Sequence, residues 1–161
     1  MIKGIGTHIK VADFEASRKF YEALGFEKSF EMGPKIPFKK DATGNLISVP
    51  EDYQAIDFVY GGCKLEIADG HRAVKPEVFK EKVTSSKISL MIPVDSLEDI
   101  IDRCKNNGIE LAVGPRHYYW GTLELVVKDP DGVVLVFIQP YDEETAKKLN
   151  ADESFGKVPA S

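Results

Sequence analysis

One order of elements occurs twice along this chain, and that internal repeat restricts the fold more than any other feature. In the first copy Ile5, Thr7, Ile9 and Val11 alternate with Gly6, His8 and Lys10, the period of a half-buried strand. Asp13 then caps a helix on which Phe14, Ser17, Phe20, Tyr21 and Leu24 recur at helical spacing, and Gly25 stops it. Phe26 to Phe30 reads as a second strand, and Gln54 to Tyr60 with Cys63 to Asp69 reads as a hairpin around Gly61-Gly62. The second copy begins with Ile88, Leu90, Ile92 and Val94 alternating with Ser89, Met91 and Pro93. Asp95 or Ser96 caps a helix running to Asn107 before Gly108, and strands follow at Ile109–Val113, Thr122–Lys128 and Val133–Gln139, the last two joined by the turn Asp129-Pro130-Asp131-Gly132. Aligning Val11-Ala12-Asp13-Phe14 with Val94-Asp95-Ser96-Leu97 sets His8 opposite Met91. The expected class is α+β, as two tandem βαβββ modules over 1–70 and 87–140.

Between and beyond the modules the pattern weakens. Residues 33–53 hold several prolines and glycines without a steady period, which predicts a long loop or a short irregular excursion. Residues 71–86 read as a polar connector. Within 141–161, Glu143 to Leu149 reads as a short helix and the remainder as a frayed tail. The net charge of -5 and the pI near 5.3 argue against a nucleic-acid partner, whose phosphates need clustered Lys and Arg. No apolar run approaches a membrane span and no basic stretch precedes an apolar one, so the expectation is a cytoplasmic protein without a membrane partner. Cys63 and Cys104 match no zinc or redox spacing and are expected to be reduced thiols.

Strand alternation assigns faces. With Ile5, Thr7, Ile9 and Val11 toward the helix, His8 lies on the opposite face, as a hydrogen-bonded imidazole or as a functional one. A two-residue turn at Gly61-Gly62 pairs Tyr60 with Cys63, Phe58 with Leu65 and Asp57 with Glu66, so two carboxylates share the face with His8. Such a pair reaches solvent, or it takes a metal, a basic partner such as His8 or Lys10, or a shared proton. A raised pKa on one of them would suit general-base work, which makes Asp57 and Glu66 candidate catalytic residues. Glu124 on the strand Thr122–Lys128 is a third candidate, as an acid/base group, an oxygen ligand or an anchor for the preceding loop.

The corresponding face of the second module is apolar. Leu135 and Phe137 should meet the helix, leaving Val134, Val136 and Ile138 beside Met91 and Ser89, a wall suited to a flat hydrophobic ligand or to cover by another part of the protein. His117-Tyr118-Tyr119-Trp120-Gly121 is the densest aromatic segment and reads as a loop, with His117, Tyr119 and Trp120 as candidate ligand contacts or as a lid on the core.

The segments HIKVADFEASRKFYEALGF and WGTLELVVKDPDGVVLVFIQP, with the repeat order, resemble the vicinal oxygen chelate superfamily, which includes glyoxalase I, extradiol dioxygenases and bleomycin-resistance proteins. The resemblance implies that the modules form a half-open sheet cup with helices on its convex side. It also implies one metal ligand from the first and last strand of each module, which falls here on His8 and Glu66, and on Met91 and Val136. Only His8 and Glu66 suit a divalent metal. The expectation is therefore a small-molecule binding protein of the bleomycin-resistance type, with an organic ligand in a partly apolar cup and no cofactor. The alternative is a metal-dependent lyase, isomerase or dioxygenase using Zn, Ni, Mn or Fe at His8 and Glu66 with a substitute such as Glu124 or Asp57. The resemblance also implies a homodimer, with modules paired within or between chains.

Overall fold

Each copy of the repeat builds one open sheet with a helix packed on one face. The structure, a computed structural model, describes residues 1–160. It divides into a first unit, Met1–Lys82, and a second that begins at Val83.

The first unit runs β1 (Ile5–Lys10), α1 (Phe14–Ala23), β2 (Lys28–Gly33), β3 (Lys39–Lys40), β4 (Leu46–Pro50), β5 (Ala55–Tyr60) and β6 (Cys63–Ala68), followed by a 3₁₀ turn at Pro76–Lys80. The Asp13 carboxylate accepts the Ala16 amide at 3.0 Å and starts α1. Tyr21, on the buried stripe of α1, packs edge-on against Phe26 and lies 5.9 Å from Phe58, with Tyr21 and Phe58 both fully buried. Phe26 thus fills the core, and β2 starts two residues later than the sequence pattern suggests. Strand order is β1-β6-β5-β2-β4-β3, with β1 parallel to β6.

The segment 33–53, read as a long loop or a short irregular excursion, contains a small β excursion. β3 and β4 form a hairpin, and β4 lies parallel to β2 with Glu31 opposite Ser48. The Asp41 carboxylate shapes its turn by accepting the amides of Thr43 and Asn45, and the buried Ser48 hydroxyl donates to the Pro37 carbonyl at 2.7 Å. A five-residue strand ending in proline offers too few positions for a period to show.

The second unit runs β7 (Ser89–Pro93), α2 (Leu97–Asn106), β8 (Leu111–Tyr118), β9 (Thr122–Lys128), β10 (Val134–Pro140), α3 (Glu143–Lys148) and β11 (Asp152–Phe155), in the order β11-β8-β9-β10-β7. Ser96 caps α2 by accepting the Asp99 amide, and the buried Gln139 side chain accepts the Leu97 amide at 2.8 Å, tying α2 to β10. Leu123, Leu125, Val127, Leu135 and Phe137 are buried on the helix side of this sheet. Two readings are corrected here. The second strand of this module extends to Tyr118 instead of stopping at Val113, because His117 and Tyr118 pair with Leu123 and Thr122 across a tight turn closed by Gly121 at φ 91°. The tail is not frayed throughout, since Asp152–Phe155 pairs parallel with β8.

Both units share one core topology. β1-β6-β5-β2 and β7-β10-β9-β8 place the first, fourth, third and second strands of the module side by side. The result is an α+β fold of two βαβββ units with open mixed sheets. Among the described residues, no helix is long and apolar enough to cross a membrane. Both cysteines are free thiols.

Candidate functional site

In the first unit, the face of the sheet turned away from α1 carries a row of side chains at one register: His8 on β1, Glu66 on β6, Asp57 on β5 and Phe30 on β2. The hairpin register is the one the Gly61-Gly62 turn dictates, with Gly61 at φ 59°. Asp57 and Glu66 are largely shielded, with 16% and 15% of their side chains exposed. Two carboxylates that close need a counter-charge, and Lys64 supplies it. Its ammonium donates to Glu66 Oε2 at 2.7 Å and to Asp57 Oδ2 at 3.3 Å.

This arrangement sets the protonation of the row. Burial raises the Asp57 carboxyl above its ordinary range, with the Glu66 charge adding to the effect and Lys64 opposing it. Burial would raise Glu66 too, but the hydrogen bond and charge of Lys64, with His8 nearby, bring it below its ordinary value. A proton held between the two therefore belongs to Asp57. Burial lowers the His8 imidazole; Glu66 counteracts this, while Lys10, His71 and Lys64 reinforce it. The His8 Nε2 atom is buried without a hydrogen bond among the described residues and lies 3.9 Å from Glu66 Oε1.

Three neighbours complete the site that strand patterns alone did not single out. Lys64 is two residues before Glu66, so alternation along β6 puts it on the same face. His71 stands 5.5 Å from the His8 ring, with Tyr53 behind it at 6.3 Å. Its Nδ1 accepts the Ala73 amide at 3.1 Å, which leaves Nε2 as the protonated, donating nitrogen. His71 lies in the segment read as a connector, where no period marks it.

A divalent metal does not fit this donor set as it is arranged. The position between the carboxylates is taken by the Lys64 ammonium, and among the described residues no three His, Cys, Asp or Glu side chains are grouped to hold an ion. A cavity of about 220 Å³ lies on the helix side of the same sheet, lined by Phe14, Arg18, Lys28, Ile36 and Ile56 among others. Its charges are already paired, Lys28 with Glu31 and Arg18 with Glu15.

In the second unit the matching row is Met91 on β7, Val136 on β10, Val126 on β9 and Val113 on β8. Val136, Val126 and Val113 are half-buried, and Met91 is 69% exposed. Glu124 lies one step along the same face, opposite Ile138, and both its neighbours use it: Thr122 donates at 2.6 Å and the Trp120 indole at 3.1 Å to Oε1. Glu124 anchors Trp120, which stacks on Tyr118 at 4.5 Å and meets Tyr119 edge-on. His117 is separated from them by the sheet. It pairs with Leu123, stacks on Tyr141 at 3.7 Å, and its Nδ1 meets the Glu153 carboxylate at 2.5 Å. Alternation along β8 therefore divides the aromatic segment, with Tyr118 on the open face and His117 holding β11.

The sequence matches the Glyoxalase/Bleomycin resistance protein/Dioxygenase superfamily over residues 6–137, spanning both rows. The chain belongs to this superfamily. Solved structures of low sequence identity share its fold. A glyoxalase I mutant from Zea mays superposes with a TM-score of 0.60 at 18% identity, covering 87% of this chain and 46% of that one. A superfamily member from Sphaerobacter thermophilus DSM 20745 gives 0.57 at 18% identity, covering 86% and 98%. TnmS3, an antibiotic binding protein from Streptomyces sp. CB03234, gives 0.52 at 19% identity, covering 86% and 95%. Comparison with functionally curated proteins returns no match. Superfamily membership accounts for the repeat and the strand order, while the chemistry rests on the residues of the two rows.

Proposed function

We propose that this superfamily member is a small-molecule binding protein that holds a flat organic ligand against the open face of its second sheet and needs no metal to do so. The observation that carries this reading is the apolar row Met91, Val136, Val126 and Val113, exposed at Met91 and bordered on the same face by Tyr118 and Trp120. An exposed thioether beside β-branched side chains and stacked rings offers adaptable apolar contact to a planar molecule. The antibiotic-binding role of TnmS3 is consistent with this use of the scaffold. The reading extends to a homodimer, as the family resemblance implies, in the cytoplasm.

Trp120 is the only tryptophan in the chain, so it serves as the reporter. Planar polycyclic compounds titrated into the protein in the presence of EDTA should quench its fluorescence and raise the melting temperature, and Met91→Glu should weaken both responses. No response across such a panel, or a response that EDTA removes, would sink the reading.

A second reading, a metal-dependent lyase, isomerase or dioxygenase centred on His8 and Glu66, has one observation in its favour. The buried His8 Nε2 makes no hydrogen bond among the described residues and lies 3.9 Å from Glu66 Oε1. Turnover that disappears on chelation and returns with Zn, Ni, Mn or Fe would support it, while His8→Ala and Glu66→Ala variants with unchanged metal content would end it.

A further inference from the structure

We propose that Lys64 is a built-in cation that keeps divalent metal ions out of the donor set formed by His8, Asp57 and Glu66. The geometry makes it a direct competitor. The ammonium contacts one oxygen of each carboxylate, and the other Glu66 oxygen is the one nearest His8 Nε2. A metal bridging these groups would need oxygen and nitrogen donors at about 2.0–2.2 Å around one point. With the lysine between them the donors are splayed around a nitrogen instead, and among the described residues no three converge.

The local sequence holds the lysine there. Lys64 and Glu66 are i and i+2 on β6, so they share a face without any backbone adjustment. Gly6 is the residue opposite Lys64 on β1. A Cβ built on Gly6 would lie 3.7 Å from Lys64 Cβ and 4.0 Å from Cε, ordinary contact distances, so the lysine stem runs beside this position. Lys10 adds a second positive charge to the same face, where it hydrogen-bonds the His8 carbonyl at 3.3 Å. The Lys64 ammonium already pairs with both carboxylates. An incoming dication would have to displace Lys64 or tolerate its charge at close range, and both are unfavourable in a shielded row.

The inference goes beyond ligand binding by the second sheet and is tested independently of it. The full chain, freed of metal by EDTA and dialysis, is titrated with Zn(II) by calorimetry and with Co(II) by visible absorption. Wild type and Lys64→Arg, which keeps the charge, should show no saturable site. Lys64→Met and Lys64→Gln should each bind one ion per chain, at least about tenfold tighter than wild type, and adding Glu66→Gln should remove the gain. Lys64→Gln keeps N–H donors between the carboxylates and decides the matter if Lys64→Met does not fold by circular dichroism. Wild type binding one equivalent as tightly as the Lys64 variants would overturn the proposal, and so would folded variants that gain nothing. Either result would leave quenching of Trp120 by an organic ligand untouched, so the two readings fail separately.

Discussion

The two sheets have the same strand order and matched registers, yet their open faces carry opposite chemistry at equivalent positions. His8, Glu66, Asp57 and Phe30 in the first correspond to Met91, Val136, Val126 and Val113 in the second. The helix-facing sides, by contrast, are apolar in both, with Phe58, Leu65 and Ile67 in one and Leu125, Val127, Leu135 and Phe137 in the other. The repeat is therefore conserved in its cores and divergent on its open faces. A core residue must satisfy its own helix, whereas an open-face residue is constrained mainly by what it binds.

The strongest test of this contrast is in the cores. Phe58→Ala and Phe137→Ala should each cost about 3–5 kcal/mol in urea unfolding, because both side chains are fully packed and leave cavities. If either cost under about 1 kcal/mol, the equivalence of the two cores would not hold. A smaller effect is expected from placing the charge of one row in the other. Val136→Glu introduces a carboxylate at the position of Glu66, where the residue two places earlier is Val134 and not a lysine. It should destabilise by about 1–3 kcal/mol at neutral pH, with the loss shrinking on acidification as the carboxyl is protonated.

The third prediction concerns the charged row alone. The Asp57 pKa is raised in the folded state, so its contribution to stability is complete below the unfolded carboxyl value, about 3.9, and is lost as pH rises through the folded value. Asp57→Asn should therefore gain stability relative to wild type between pH 4 and 7, by under about 1 kcal/mol with a half-exposed lysine screening the pair. The His8 shift has the opposite sign. Its lowered value gives stability that is complete above about pH 6.5 and fades as pH falls through the folded value, so His8→Gln should flatten the acid limb of the same curve. The smallest effect is expected at Met91→His, which copies His8 onto an exposed position and should change stability by less than about 0.5 kcal/mol while weakening the Trp120 response to planar ligands.

The sequence made the first row readable because its two determinants are local. Alternation turns His8 away from α1, and Gly61-Gly62 fixes Asp57 against Glu66. The same rule puts Lys64, two residues before Glu66, on that face, but it says nothing of the reach of a four-carbon stem diagonally from β6 to Asp57 on β5. His71 depends on the path of an aperiodic segment, and its contact with His8 spans 63 positions (71 − 8). β11 escaped notice because all four of its residues are exposed and polar residues dominate it, so no buried face imposes alternation. His117 was grouped with Trp120 because a loop has no faces, and the extension of β8 to Tyr118 gives it two. Element type followed local pattern, and the misses were strands whose pairing partner is the only evidence for them.

The Gly61-Gly62 hairpin also sets an order of assembly. β5 and β6 are joined by two residues and can pair on the microsecond scale of hairpin formation, whereas β1 must close a chain loop of more than fifty residues to lie parallel to β6. Asp57, Lys64 and Glu66 all belong to the hairpin, so the ammonium meets both carboxylates during the earliest local folding. The imidazole of His8 arrives only when the sheet closes, at a carboxylate pair whose counter-ion is already part of the strand.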